Sequence, residues 1–549
     1  MFSHRLILLV LSAFFHLVSS ISPIVSLDYG TFQGAIDGNL TKFLGVPFAR
    51  PVTRFEIPQP PVPLHGIQNA TAFGPACPQQ TLSPTPQNFT NNHSLISEQC
   101  QTLDVFTPTA ADSGSKLPVF VWIYGGGFEV GSSSDTDVRP TVERSILLGE
   151  PMIMVVPNYR ISAFGFLAGK EVSDAGVTNL GLRDQILALE WAQKHISAFG
   201  GDPERVVIGG QSAGAISTGL LLLSNKRSSN SLFRGAVMIS GSPGPSPSVA
   251  DGQLYYDELV EANNCTAAPD TLDCLRHVPY DAFLATVNKT PDLFSYHSLS
   301  LVWRPRVDGD VIVQNPPTSV AEGTFAKIPI MSGDCDDEGT IFSFGNDNVT
   351  TNAEFSNYVQ SIYLPGGTPA QVAQIAQLYP QNPALGSPFG TGDANQYTPE
   401  FKRIAAFQGD YEFIGVRRLF LQHASKTQNT WSWLNKREKV TPYIGSYHSS
   451  DMPMFFPTNA TAQPDTVAID ALINFLNTLD PNESAAPEAL RPIGSIFWPK
   501  WQTPSAGGST SLLTFSDPAA VNITADNFRA DAIAFLNELH LEGVTVIGL

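Results

Sequence analysis

The sequence predicts an α/β fold with a central, mostly parallel, doubly wound sheet, helices on both faces and long insertions. Short apolar runs alternate along the chain with segments of helical periodicity, and this order is typical of strands joined by crossover helices. The runs show little polar alternation, as expected for strands covered on both faces. The predicted strands are residues 24–27, 31–36, 42–46, 119–124, 152–157, 206–209, 236–240, 328–332 and 430–434.

Three segments show the apolar spacing of amphipathic helices, residues 182–196, 411–423 and 527–541. A proline-rich stretch, residues 51–63, cannot continue a regular sheet. The sequence contains no internal repeat, long linker or low-complexity block. We therefore expect one elaborated domain over residues 21–549.

The first twenty residues have the pattern of a secretory signal peptide. Arg5 precedes an apolar stretch, residues 6–18, which is followed by Ser19 and Ser20. The stretch is too short to span a bilayer, so the sequence predicts cleavage after Ser20 and a secreted, extracellular protein without stable membrane association. Ten Asn-x-Ser/Thr triplets agree with export and predict glycosylation at Asn39, Asn69, Asn88, Asn92, Asn264, Asn288, Asn348, Asn459, Asn482 and Asn522.

Charge and cysteine content narrow the partners and the compartment further. The formal net charge is -19 and no basic tract is present, which argues against binding to nucleic acid. Five cysteines are expected in an oxidising compartment. Cys77 could pair with Cys100, and Cys265 with Cys274, leaving Cys335 free; a pairing through Cys335 stays open at this level.

The most informative motif is Gly210-Gln211-Ser212-Ala213-Gly214, between the apolar run 205–209 and the helix-like stretch 215–222. A strand that turns sharply into a helix around such a serine is the nucleophile elbow of an α/β-hydrolase fold. Glycines fit the strained turn without a Cβ clash. The motif predicts that Ser212 is a nucleophile whose hydroxyl points out over the C-terminal edge of the sheet.

A glycine triplet upstream predicts an oxyanion hole. Gly125-Gly126-Gly127 directly follows the strand predicted at 119–124. We expect the backbone N–H groups of Gly126 and Gly127 to converge with that of Ala213 on a developing negative oxygen. The alternative interpretation is a flexible loop.

Acyl transfer also needs a base and a carboxylate that orients it, in the chain order Ser, acid, His. His423 and His540 lie in predicted helices and are interpreted as structural, whereas His448 lies in a loop and is expected to be a mobile, solvent-reachable base. The acid should follow the strand predicted at 328–332. The residues alone do not choose among the four candidates Asp334, Asp336, Asp337 and Glu338.

Taken together, these motifs resemble the type-B carboxylesterase/lipase family, which includes cholinesterases and fungal lipases, over nearly the whole expected mature chain. The matching segments are residues 43–50, 98–104, 122–128, 158–160, 199–203, 210–214 and 333–339. The resemblance implies an ester hydrolase without a metal or organic cofactor, with Ser212 as nucleophile, Glu338 as acid and His448 as base. It also implies the disulfides Cys77–Cys100 and Cys265–Cys274.

One departure from the family lies inside the elbow. The residue before the serine is usually Glu in this family and is Gln211 here. A carboxylate beside the expected triad is therefore missing, and we expect a weaker field on a protonated His448. The pair Glu98-Gln99 likewise carries one acidic residue fewer than the family pattern.

The loop at residues 78–99 bears on the substrate. It is short and polar, with Pro84, Pro86 and two sequons, and shows no apolar face that could dock on oil. We therefore expect a small-molecule, soluble ester as partner, with an interfacial lipase or sterol esterase as the alternative. Because this loop contains no tryptophan for cation–π capture of choline, choline esters are not expected as substrates.

Two interpretations of Phe128, Phe342 and Phe344 stay open. These residues either line an apolar acyl pocket suited to aryl esters or belong to the ordinary core.

A non-catalytic protein is the alternative from another functional class, because some relatives of this fold are adhesion proteins that lack the nucleophile. The sequence makes no prediction of the oligomeric state.

Overall fold

The computed structural model describes residues 22–86, 93, 95–224, 232–458, 465–487, 496–503 and 510–544. The predicted signal peptide and the sequons at Asn88, Asn92 and Asn459 lie outside these residues.

Fourteen strands are present in the described part of the chain. They are β1 (Ile24–Leu27), β2 (Gly30–Gln33), β3 (Ala35–Asp37), β4 (Leu40–Pro47), β5 (Ile67–Asn69), β6 (Thr102–Pro108), β7 (Leu117–Ile123), β8 (Ile153–Pro157), β9 (Gly201–Gln211), β10 (Gly235–Ile239), β11 (Ile330–Cys335), β12 (Thr430–Lys436), β13 (Ser511–Ser516) and β14 (Ala520–Ala525).

Eleven of these strands form one sheet in the order β14-β13-β12-β11-β10-β9-β7-β8-β6-β4-β3. In this order, neighbouring strands are parallel from β13 to β8. The pairs at the two ends of the sheet are antiparallel, namely β14-β13 at one end and β8-β6, β6-β4 and β4-β3 at the other. A second sheet of three strands has the order β1-β2-β5. The predicted doubly wound, mostly parallel α/β sheet is confirmed.

The helices of the described residues cover both faces of the large sheet. They are α1 (Arg139–Leu148), α2 (Ser162–Phe166), α3 (Lys170–Asp174), α4 (Leu180–His195), α5 (Ala213–Leu223), α6 (Gln253–Ala262), α7 (Thr271–His277), α8 (Tyr280–Val287), α9 (Pro316–Glu322), α10 (Asn352–Tyr358), α11 (Pro369–Leu378), α12 (Phe401–Gly409), α13 (Gly415–Ala424), α14 (Met452–Phe455), α15 (Val467–Thr478) and α16 (Ala530–Glu542).

Strand β7 shows why its sequence is a continuous apolar run. Val119, Val121 and Ile123 point into the core on the side of α4 and α5. Phe120 and Trp122 point into the opposite core, on the side of α1 and α15. Because successive side chains alternate between faces that are both buried, each position in the strand is apolar.

A third apolar cluster lies in the long insertion between β11 and β12. It is formed by side chains of α10, α11, α12 and the C-terminal helix α16, among them Phe355, Ile375, Phe407 and Leu536. The insertion contains the helix predicted at 411–423. That helix is a longer run in the structure, because a π-helical turn, Asp410–Ile414, joins α12 to α13.

The strand predictions differ from the structure in two ways. Residues 31–36 were expected to form one strand, but β2 and β3 belong to different sheets and the chain passes between them at Gly34. Strands β5, β6, β13 and β14 were not predicted, and in β6 the apolar pattern is interrupted by Asp104. The Asp104 side chain is buried, and its Oδ1 accepts the backbone N–H of Gly45 on strand β4 at 2.8 Å, so one of its two oxygens is satisfied inside the sheet.

The covalent framework agrees with the expectation. The structure contains the disulfides Cys77–Cys100 and Cys265–Cys274, and Cys335 is a free, buried thiol. No helix within the described residues combines the length and the apolar character that a bilayer span requires.

Candidate active site

The candidate site begins at the sharp turn between β9 and α5. Strand β9 ends at Gln211, α5 begins at Ala213, and Ser212 between them has φ 56° and ψ -125°. The Ser212 N–H donates to Ile239 O at 2.9 Å, which ties the turn to strand β10. A Cβ on Gly214 would lie 2.0 Å from Ile123 O, so only glycine allows this close approach.

The same turn gives Ser212 a positive electrostatic environment. Helix α5 has eleven residues, and its first N–H groups have no acceptor within the helix. The positive end of the helix dipole therefore lies next to the serine hydroxyl. The N–H of Ala213 belongs to this first turn, which suits it to an anionic oxygen.

The predicted glycine loop passes directly beside the serine. A Cβ on Gly125 would lie 2.9 Å from Ser212 Cβ, and one on Gly126 would lie 2.2 Å from Val130 O. Gly126 has φ 106° and Gly127 has φ 64°, backbone angles that favour glycine. Among the described residues, none accepts a hydrogen bond from the N–H of Gly126 or Gly127, so both donors are available to a ligand.

His448 and Glu338 are in direct contact. His448 Nδ1 lies 2.5 Å from Glu338 Oε2, and the other carboxylate oxygen, Oε1, accepts the Cys335 N–H at 2.6 Å. Burial raises the pKa of the Glu338 carboxyl, whereas the Cys335 N–H on Oε1 lowers it and so favours the carboxylate that accepts the proton of Nδ1. Burial also lowers the pKa of the His448 imidazole, which favours a neutral ring with a free basic nitrogen at neutral pH.

The structure distinguishes among the four candidate acids, which the sequence motifs alone did not. Only Glu338 contacts His448 among these four. Asp334 binds Arg417 Nε, and Asp336 lies 2.6 Å from Lys439 Nζ. Asp337 accepts the Ser446 N–H at 2.8 Å and so anchors the loop that carries His448.

His448 is not the solvent-reachable side chain that its loop position predicted. The residue is only 4% exposed. Its ring packs against Phe342 and Phe413, with ring centroids 5.1 Å and 4.7 Å away. The prediction was wrong because a loop residue can be buried by aromatic residues from distant segments, and sequence spacing contains no information on that packing.

Ser212 and His448 line one cavity of about 340 Å³, a size suited to a small organic ligand. Most of its wall is apolar, and none of its side chains carries a permanent charge. The lining residues are Leu82, Gly126, Gly127, Val130, Gln211, Ser212, Leu293, Phe294, Ile341, Phe342, Tyr447, His448 and Ser449.

The hydrogen bonds of the described residues include none between Ser212 Oγ and His448. The second ring nitrogen, Nε2, instead lies 3.1 Å from the side-chain amide of Gln211. The same amide nitrogen donates to Ser449 Oγ at 2.7 Å. Gln211 therefore contacts the ring nitrogen that faces the cavity.

The three phenylalanines divide between the two interpretations. Phe342 lines the cavity. Phe128 is buried and packs against Phe166, with ring centroids 5.1 Å apart, while Phe344 packs against Tyr397 and Phe401. Only Phe342 is thus in a position to contact a ligand in the cavity.

Several cavity residues were missed by sequence reasoning, above all Leu82, Leu293 and Phe294. Leu293 is held by Glu129, whose Oε2 accepts the Leu293 N–H at 2.8 Å, and the Phe294 N–H donates to Asp292 Oδ1 at 2.9 Å. Glu129 is fully buried, and burial raises its pKa well above the ordinary value. In the sequence, the only indication that Glu129 belongs near the site was its position two residues after the glycine triplet.

Of the predicted glycosylation sites that the structure describes, most are exposed: Asn39, Asn69, Asn264, Asn348 and Asn522. Asn288 and Asn482 are half-buried. The Asn482 amide nitrogen donates to Asp480 and to Trp498 O, each at 3.0 Å, and a glycan on this nitrogen would replace one of its two hydrogens and so remove one of these bonds.

Comparison with known proteins identifies the family of the chain. The sequence model of the carboxylesterase family matches residues 21–517. The chain belongs to the carboxylesterase family. This carboxylesterase is 37% identical to the secreted triacylglycerol lipase LIP1 of Gibberella zeae, covering 93% of this chain and 89% of that protein. It is 36% identical to secreted lipase 1 of Botryotinia fuckeliana, covering 92% and 91%.

A solved structure shares the architecture of this carboxylesterase. EstA of Aspergillus niger superposes with a TM-score of 0.79 at 27% identity, over 94% of this chain and 98% of that one. The resemblance to type-B carboxylesterases and the α/β-hydrolase fold are thereby confirmed. The protein is a carboxylic-ester hydrolase.

Proposed function

We propose that this carboxylesterase is a secreted serine hydrolase that cleaves soluble esters with uncharged, apolar or aryl groups. Ser212 is the nucleophile, His448 the base and Glu338 the acid. The observation that carries the proposal is the shared cavity of Ser212 and His448, with Glu338 bound to the far nitrogen of the same imidazole.

The first half of the reaction forms an acyl-enzyme. Ser212 Oγ attacks the ester carbonyl carbon while His448 Nε2 takes its proton. Glu338 holds the proton on Nδ1, which leaves Nε2 free as the base, and stabilises the imidazolium that forms. His448 then gives the proton to the departing alcohol, and the acyl group stays on Ser212.

The second half repeats these steps with water in place of the serine. His448 takes a proton from water, the hydroxide oxygen attacks the acyl carbon, and Ser212 recovers its proton as the acid leaves. In both halves the N–H groups of Gly126, Gly127 and Ala213 donate to the negative oxygen. Each such donor contributes about 3–4 kcal/mol to lowering the barrier.

The cavity wall supports the substrate class. Leu82, Val130, Leu293, Phe294 and Phe342 offer apolar and aromatic surface to an acyl group. An ester that buries a charged group there would lose hydration without gaining an ion pair. Uncharged esters are therefore preferred.

An interfacially acting lipase is the second candidate, supported by the names of the relatives as lipases. One further observation favours it. Leu95 and Ile96, in the loop closed by Cys77–Cys100, are 58% and 37% exposed. Apolar side chains on this loop could contact an oil surface, although the described part of the loop is short.

We also propose that the protein is processed, exported and glycosylated as its sequence predicts. Residues 1–20 are removed as a secretory signal, and residues 21–549 form one catalytic domain that carries N-linked glycans. The names of the relatives as secreted proteins support export. N-terminal sequencing of the extracellular protein, and its mass before and after deglycosylation, test these statements.

A hydrolysis panel tests the function. Esters that vary in acyl length, aryl acyl group and alcohol are assayed with the wild type and with Ser212→Ala. We expect turnover of uncharged soluble esters by the wild type and its loss in Ser212→Ala. Undiminished turnover by the variant would contradict the assigned nucleophile.

The dependence of rate on substrate concentration separates esterase from lipase. With a short-chain triglyceride, we expect a hyperbolic rise that is already saturating below the solubility limit. A jump in rate when the substrate first forms an emulsion would overturn the preference for soluble esters and favour the lipase.

A further inference from the structure

The inference concerns Gln211 and rests on the proposed function, because it assumes that His448 is the base. Gln211 occupies the last position of β9, directly before Ser212. It is 8% exposed, and its amide reaches the ring of His448. Its Nε2 lies 3.1 Å from His448 Nε2 and 2.7 Å from Ser449 Oγ.

The orientation of this contact follows from the proton on the other side of the ring. His448 Nδ1 faces the carboxyl of Glu338 at 2.5 Å, so the neutral imidazole keeps its proton on Nδ1 and a lone pair on Nε2. The Gln211 amide can meet that lone pair only with an N–H group. Its carbonyl oxygen in the same place would oppose two lone pairs.

A donor on Nε2 stabilises the neutral imidazole and opposes the imidazolium. Hydrogen bonding to one protonation state lowers its free energy relative to the other. The imidazolium carries a proton on Nε2, which would then face the N–H of Gln211. Protonation of His448 therefore requires the amide to turn its oxygen toward the ring or to move away.

The acidic groups that act on the His448 imidazole are Glu338, Asp451 and Asp334, and none of the three lines the cavity. Phe342 and Phe413 pack against the ring. On the cavity side, the lining residues include no Asp, Glu, Lys or Arg. Gln211 is thus the polar group that contacts Nε2 without adding a charge.

We propose that Gln211 is a positioning residue that keeps His448 a neutral base by donating its amide N–H to Nε2, and that it releases Nε2 to Ser212 during each turnover. Ser449 Oγ is the second acceptor of the same amide nitrogen. This bond holds the amide in the cavity wall when its contact with His448 is lost.

The isosteric substitution Gln211→Glu tests the proposal. It replaces the donor by a carboxylate next to Nε2, which favours the imidazolium. We expect the acidic limb of kcat/KM to move to higher pH by about 1–3 pH units. The rate of covalent labelling of Ser212 by a fluorophosphonate probe should show the same displacement, because it reports the ionisation of the free enzyme.

Two further variants control this result. Gln211→Met removes the donor without adding a charge, and we expect a displacement in the same direction that is smaller than that of Gln211→Glu. Gln374→Glu adds the same charge at an exposed position of α11, outside the cavity lining, and should leave the pH profile unchanged.

The outcomes separate this inference from the proposed function. If Gln211→Met keeps the wild-type pH profile while Ser212→Ala is inactive, the role of Gln211 is wrong and the function stands, whatever the profile of Gln211→Glu. If Gln211→Glu fails to fold, an unmoved profile in Gln211→Met contradicts the inference by itself. Activity in Ser212→Ala would instead overturn the proposed function.

Discussion

His448 Nδ1 lies 2.5 Å from Glu338 Oε2; both residues are buried, and His448 lines the cavity that contains Ser212. The carboxylate can therefore hold the imidazole in one tautomer without water competing for the contact. This arrangement makes Glu338 the group whose chemistry, rather than its size, should matter for turnover.

Replacement of Glu338 by Gln should lower kcat by about 10,000-fold, because the amide can bind the ring in the wrong tautomer and cannot stabilise the imidazolium. Steady-state kinetics on a soluble ester measure the effect, and KM should change little. Asp336→Asn is the matched control, since Asp336 faces Lys439 rather than His448. Equal losses in the two variants would contradict the role of Glu338.

The pH dependence of the wild type follows from the burial of His448. Burial lowers the pKa of the imidazole below its ordinary value of 6.5, and only the neutral ring can accept a proton. Activity should therefore persist below pH 6.5 and fall as the pH drops through the lowered pKa. The measurement is kcat/KM against pH with an uncharged ester, and an acidic limb centred at or above 6.5 would refute the expectation.

Glu129 should contribute to stability as a neutral acid. Burial raises its pKa well above the ordinary value, so Gln is a close replacement for the protonated side chain. Glu129→Gln should keep the acceptor for the Leu293 N–H, whereas Glu129→Ala leaves that N–H unsatisfied and should cost about 1–3 kcal/mol. Urea denaturation compares the two variants. An equal loss in both would show that an acceptor for Leu293 is not what Glu129 provides.

Leu82 should limit the acyl length that the cavity accepts. It is half-buried and lines the cavity, so truncation to Ala enlarges the space without opening the core. The ratio of kcat/KM for a longer acyl ester over a shorter one should rise at least about tenfold in Leu82→Ala. Leu254→Ala, at a position on α6 that is 51% exposed, is the control and should leave the ratio unchanged.

Local motifs allowed part of this molecule to be predicted, and tertiary packing explains what they missed. The elbow around Ser212 was predictable because a strand, a strained turn and a helix are consecutive in the chain. The choice of Glu338 over Asp334 came only from the family resemblance, since their partners His448 and Arg417 lie far along the sequence.

The lining of the cavity illustrates the same limit. Leu82 lies 130 residues before Ser212 and Phe294 lies 82 residues after it, and no periodicity connects them to it. The burial of His448 likewise depends on Phe342 and Phe413 from the insertion after β11. The elbow motif placed Gln211 beside the expected triad, but only the structure shows that its amide nitrogen lies next to His448 Nε2.

The most direct test of the account is whether Ser212 carries the covalent intermediate. Wild-type protein is treated with a fluorophosphonate probe, digested, and mapped by mass spectrometry, with Ser212→Ala treated in parallel. We expect one added phosphonyl group on the peptide that contains Ser212 and none in the variant. Labelling at a different residue, or an unlabelled wild type that still hydrolyses esters, would contradict it.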